Sequence, residues 1–146
     1  MIYTLAGISG LIKTKLEGLK DNNDVAILGD VFDYPQGDFK KFPACVIMPK
    51  SSSGELIDTA RNERTFRFEI DLYQENTDSG KTKSEAMDIM KRIVDRITES
   101  FDTDKDLGGE VEIIRAVGAT FDFRVAAGTF QFAAITVDCL TVVPNY

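Results

Sequence analysis

Asp78-Ser79-Gly80-Lys81-Thr82 stands between a strand-like run, TFRFEIDLYQ, and a helix-like run, SEAMDIMKRIVDRITESF. Strand, then Gly-Lys-Thr, then helix is the setting of a phosphate-binding loop, in which the lysine reaches the phosphates and the hydroxyl binds magnesium. That chemistry also needs a glycine five residues before Gly80, so that backbone N–H groups can wrap the phosphates. Glu75 stands there and brings a negative charge. The preceding run alternates between apolar and polar residues, whereas a P-loop strand lies in the centre of a parallel sheet and reads apolar throughout. The residues therefore predict a helix start, with Thr82 as N-cap, Glu85 reaching back to it and Gly80 turning the chain.

Asp102, Asp104 and Asp106 alternate like the opening of a calcium loop. The sixth position of such a loop calls for glycine and holds Leu107; the twelfth calls for a bidentate glutamate and holds Ile113. Lys105 adds a cation inside the would-be site, so the segment reads as a solvated helix-to-strand connection. Glu69 and Asp71 share one face of a strand, a spacing open to acid–base work, with Arg67 beside them to balance the charge. The chain has no histidine, which removes the commonest general base and the commonest metal ligand. Cys45 and Cys139 lie in the apolar runs ACVIM and ITVDCLTV and read as buried reduced thiols, since a nucleophilic cysteine needs a cationic neighbour or a helix N-terminus. The expectation is a protein that is not an enzyme, with no catalytic residues, no cofactor and no metal.

A length of 146 residues suits one domain with a core that needs no disulfide or metal. The net charge of −7 gives no counterion-release drive toward nucleic acid. No apolar run is long enough to span a membrane. The N-terminal MIYTLAGISGLIKTKL lacks the basic start and unbroken apolar stretch of a signal peptide, and predicts a cytosolic origin.

Periodicity supplies the elements that position these residues. Leu5, Ile8, Leu11, Ile12, Leu16 and Leu19 predict an amphipathic helix over 5–19. Short strands are predicted at 31–34 and 44–48, the second bracketed by Pro43 and Pro49, which cannot donate to a central ladder. Lys50 to Glu63, KSSSGELIDTARNE, reads as a hairpin arm or loop. From 64 to 74, Phe66, Phe68, Ile70 and Leu72 point one way and Arg67, Glu69, Asp71 and Tyr73 the other. A second helix is predicted over 83–101, with Asp88 and Arg92 at ion-pair spacing. A turn at 106–109 leads to closing strands at 111–123 and 129–142. Phe130 and Phe132 fall on the polar parity of the last strand, which predicts a bulge near Ala133-Ala134. The fold class is α+β: a mixed, mainly antiparallel sheet with two helices packed on one face, in one domain over 1–146 with a mobile arm at 50–63.

This layout resembles the tail terminator, or tail completion, proteins of long-tailed bacteriophages and related minor structural proteins of prophages. The features that carry the resemblance cover most of the chain: the N-terminal helix, the strand FPACVIMP, the variable arm, the aromatic strand RTFRFEIDLYQE, the helix EAMDIMKRIVDRITESF, the linker DLGG and two closing strands before Val143-Pro144-Asn145-Tyr146. The resemblance implies a virion structural protein in the tail or neck, made in the host cytoplasm. It would form a six-membered homo-oligomeric ring on the tail tube protein, end tube polymerisation and present a docking surface to the head–tail connector. DNA would pass through the lumen without specific binding. A head-to-tail ring joins different patches of neighbouring subunits, which makes Arg61, Arg64 and Arg67 candidates for a basic side. Glu69, Asp71, Asp102, Asp104 and Asp106 are then candidates for an acidic side. Another neck or head-completion protein, or a small bacterial ligand-binding or enzymatic domain, are the alternatives. The arm is expected to be mobile until docking orders it.

Overall fold

The computed structural model describes residues 4–58, 61–75, 83–125 and 129–144. The first helix, α1, spans Leu5–Glu17. Thr4 caps it, its Oγ1 accepting the Gly7 N–H at 3.1 Å, which satisfies one of the orphan donors of the first turn. Ile8, Ile12 and Leu16 recur at every fourth position and are fully buried. The helix closes at Gly18 rather than at Leu19, yet Leu19 stays in the core. Beyond it the Asp21 carboxylate accepts the N–H groups of Asn23 and Val25, a local turn that sends the chain toward the sheet.

Strand β1 (Asp30–Phe32) runs parallel to β2 (Ala44–Leu56). Strand β3 (Arg61–Glu75) is antiparallel to β2. Helix α2 (Lys83–Thr103) follows, then β4 (Ile113–Val125) and β5 (Thr129–Pro144). The sheet has five strands in the order β1-β2-β3-β5-β4, with every pair but the first antiparallel. Ile8, Ile12 and Leu16 of α1 join Met90, Ile93, Ile97 and Phe101 of α2 in one core cluster with Cys45, Ile47, Phe68, Ile70, Leu72, Ile135 and Val137 of the sheet. Both helices therefore cover one face, and the fold is α+β as expected. No helix among the described residues is long and apolar enough to cross a membrane.

Three expectations are corrected. Strand β2 does not stop at Pro49 but continues to Leu56, with a register shift between Pro49 and Ser51. Its partner β1 ends opposite Val46, so Pro49 lies next to an irregularity on an edge, where a missing N–H is tolerated. Strand β5 keeps one uninterrupted register against β3, from Arg61↔Pro144 to Glu75↔Phe130, so there is no bulge at Ala133-Ala134 on that side. Phe132 instead faces away from the helices, its ring 5.2 Å from that of Tyr73. The shift occurs on β4, between Ala116 and Gly118, and leaves Val117 exposed. Asp88 and Arg92, finally, form no salt bridge, since both project into water, where such pairs contribute little.

The loop from β1 to β2 explains why Phe132 needs no phase change. It crosses the face opposite the helices and stacks Phe39 at 4.9 Å from Tyr73, 6.1 Å from Phe32 and 6.1 Å from Phe42. Its return is held by the Asp30 carboxylate, which accepts the N–H groups of Lys40 and Lys41, both at 3.1 Å. Gly29 donates to the Pro43 carbonyl at 2.7 Å. A Cβ on Gly29 would meet the Lys41 backbone at 2.8 Å, so the close approach requires glycine.

Candidate functional site

The second sheet face divides into two parts. At the β1 end the aromatic loop closes it, and Ala44, Val46, Phe132 and Ala134 are buried there. Toward the other end it is a ladder of charged and polar side chains from β4, β5, β3 and β2. Arg115, Asp138 and Arg67 occupy one rung. The Arg67 guanidinium donates to both Asp138 oxygens, at 2.7 and 2.8 Å. These bonds, with Arg115 adding a favourable field, hold the Asp138 carboxyl below its ordinary pKa. The Lys50 ammonium reaches across from β2 to Glu69 at 2.9 Å, and that bond raises the Lys50 pKa. A shallow hollow of about 260 Å³ lies beside this rung, among Glu63, Thr65, Arg115 and Leu140.

The candidate residues read from the sequence are thus dispersed. Arg67, Glu69 and Asp71 share the face turned away from the helices, as their alternation predicts, but Asp71 lies at its closed end, between Val46 and Ala134 and with one carboxylate oxygen buried. Arg64 lies on the opposite face, its guanidinium carbon 3.2 Å from where a Cβ on Gly54 would stand. Arg61 is paired with Asp58 beside the β2–β3 turn at 2.8 Å. Asp104 accepts from the Lys15 ammonium at 3.0 Å and from the Gly108 N–H at 3.0 Å. The backbone bond foremost, and the Lys15 bond after it, lower its pKa. Asp106 turns the chain, its carbonyl accepting the N–H groups of Gly109 and Val111, while Asp102 is exposed. Leu107 takes the turn conformation that glycine usually supplies, with φ of 50°, and its side chain is buried. Arg67, Glu69, Arg61 and Asp104 are neutralised by partners in the same chain, which the sequence reading missed: Asp138, Lys50, Asp58 and Lys15.

Chemistry at these positions is constrained by the same geometry. Among the described residues no three or more metal-ligating side chains gather. Burial pushes the Cys139 thiol up to about 12 and the Cys45 thiol higher still, so neither supplies a thiolate near neutral pH. The DSGKT segment, and with it the Thr82 cap, lies outside the described residues.

Two surfaces stand out among the described residues. Strands β2, β3 and β5 run on past Phe66, the last residue of β3 in the hydrophobic core, by roughly 15 Å at the rise of an extended chain, with Thr141 of β5 still buried opposite Arg64. The segment read as an arm is, over its described residues, this projecting hairpin. Leu56 and Ile57 near its tip are 63% and 44% exposed. On the helix side a groove of about 540 Å³ lies between the α1–β1 loop and α2, with Ile27 and Ile93 below and Lys20, Arg92 and Arg96 among its walls. Adjacent apolar residues inside the polar stretch KSSSGELIDT were the available sequence signal for the tip. The groove has no such signal, because a helix and a distant loop form it together. No protein-family model matches this chain, and no curated protein is significantly similar to it.

Proposed function

We propose that the chain is a virion structural protein, a phage tail terminator that assembles as a hexameric ring on the tail tube, stops tube polymerisation and offers the head-docking surface. The observation that carries this reading is the projecting end of the sheet. Strands β2, β3 and β5 run on beyond the hydrophobic core, and the β2–β3 end carries exposed Leu56 and Ile57. Strand β4 and the distal part of β2 are open edges of the sheet. Open edges and apolar tips are liabilities for an isolated subunit and assets for one that sits between neighbours. The α+β layout read from the sequence supports the same assignment, and the net charge of −7 suits a lumen through which a polyanion slides.

The test is native mass by light scattering over a wide range of concentration and salt, followed by capture of tail tube protein. A six-subunit species, or a monomer that becomes one on the tube, supports the terminator. Capture of the connector-side adaptor in place of the tube would reassign the chain to head completion. A monomer that captures neither overturns the reading.

A further inference from the structure

The projecting tip and the helix-side groove have complementary chemistry. The tip presents Glu55, Leu56 and Ile57 in succession, an acid followed by two exposed apolar side chains. Glu55 stands directly across from Glu63 in the β2–β3 register, and like charges placed opposite each other destabilise a strand pair. Among the described residues Glu55 has no salt-bridge partner. The groove offers the converse. Arg92 and Arg96 lie one turn apart on α2, exposed and without a salt bridge among the described residues, although the chain carries 24 acidic residues against 17 basic ones. Ile27 and the buried Ile93 supply an apolar floor beside them. Asp21 and Glu99 also line the groove, but the Asp21 carboxylate is turned to its own loop by two backbone N–H groups.

We infer that the groove is the receptor for the β2–β3 tip of a second copy of this chain: Leu56 and Ile57 seat on Ile27 and Ile93, and Glu55 meets Arg92 and Arg96. The contact is heterologous, since tip and groove are different patches, so its repetition gives a ring where the rotation closes. The interface rests on the reading of the chain as a ring-forming subunit and names the patches that join it. Docking would bring a compensating cation to Glu55 and cover the exposed apolar side chains, while leaving the Arg67–Asp138 ladder to face outward.

A photo-crosslinking residue, p-benzoylphenylalanine, placed at Ile57 in the full chain tests this directly. Isotope-labelled and unlabelled copies are mixed so that cross-links between copies can be told from those within one. If the chain assembles only on tail tube protein, the irradiation is done on that assembly. Expected are inter-copy cross-links to peptides holding residues 20–27 and 92–99. Arg92→Glu with Arg96→Glu should raise the concentration for half-assembly roughly tenfold or more, through like-charge contact with Glu55. Adding Glu55→Arg should restore it, with circular dichroism unchanged throughout. Rings that cross-link elsewhere, or that ignore the charge reversal, overturn the docking inference and leave the ring reading standing. A chain that neither self-associates nor assembles on the tube overturns both.

Discussion

Phe68 and Arg67 are adjacent on β3 and meet opposite surroundings. Phe68 is fully buried on the helix-covered face, whereas Arg67 lies across the open face against Asp138. Phe68 belongs to the apolar core that the helices share with the sheet, so its side chain is covered within one chain. The face bearing Arg67 is finished at one end only, where Phe39 stacks on Tyr73. Elsewhere Arg67 with Asp138 and Lys50 with Glu69 form exposed ion pairs, while Glu55 and Glu63 stand opposite each other. One side of the sheet therefore holds the fold together, and the other, with the projecting tip, is available for neighbours. Charge balance on that face removes Arg67 and Glu69 as strong attractors, because an ion pair already satisfied gains little from a second partner. Apolar tip residues and unpaired guanidiniums gain more.

The comparison can be broken by substitution. Phe68→Ala should lose the most stability, about 3–5 kcal/mol in urea unfolding, through lost transfer energy and an unfilled cavity. Arg67→Ala next to it should lose far less, and an equal loss would show that the open face is structural after all. Gly29→Ala should cost about 1–3 kcal/mol, because its Cβ would press on the Lys41 backbone. A smaller value would mean that the aromatic loop is loosely attached and the second face more open than described. Removing the α1 cap with Thr4→Ala should cost about 1 kcal/mol, read as a shift in melting temperature.

Acid titration gives a finer contrast. Asp138 and Asp104 both titrate lower in the folded chain than unfolded. The folded state then binds fewer protons, so their contribution is full above the unfolded carboxylate pKa. It is lost as pH falls through the folded values. Asp138→Asn should flatten part of this acid-side loss while leaving neutral-pH circular dichroism unchanged, and an unchanged slope would mean that the Arg67 pair is not maintained in solution. The smallest stability effect is expected at the tip. Ile57→Ser should change unfolding free energy by less than about 0.5 kcal/mol, as surface substitutions do, and yet weaken assembly.

Much of the helix-covered side was legible in the residues. Spacings of three and four gave α1 and α2, and the alternation from Phe66 to Leu72 assigned each side chain of β3 to its face. These signals are local, because a period is a property of one segment. The second face was misread where a local rule met a distant partner. Phe132 looked out of phase only because nothing near it in sequence reveals that Phe39, Tyr73 and the β1–β2 loop gather around it. Pro49 looked like a strand end because its edge position depends on how short β1 is. The dispersal of the candidate arginines had the same origin. Their types were visible, but Asp138 lies 71 residues from Arg67, and no spacing rule connects them. Sequence alone determined where the two helices and the cores of the long strands lie and which side of α1, α2 and β3 is apolar, since these follow from short-range geometry. Only the tertiary structure decided which charges are already paired, that the second face has an aromatic end, and that a loop and a helix form a basic groove, because those outcomes depend on strand order and register across the sheet.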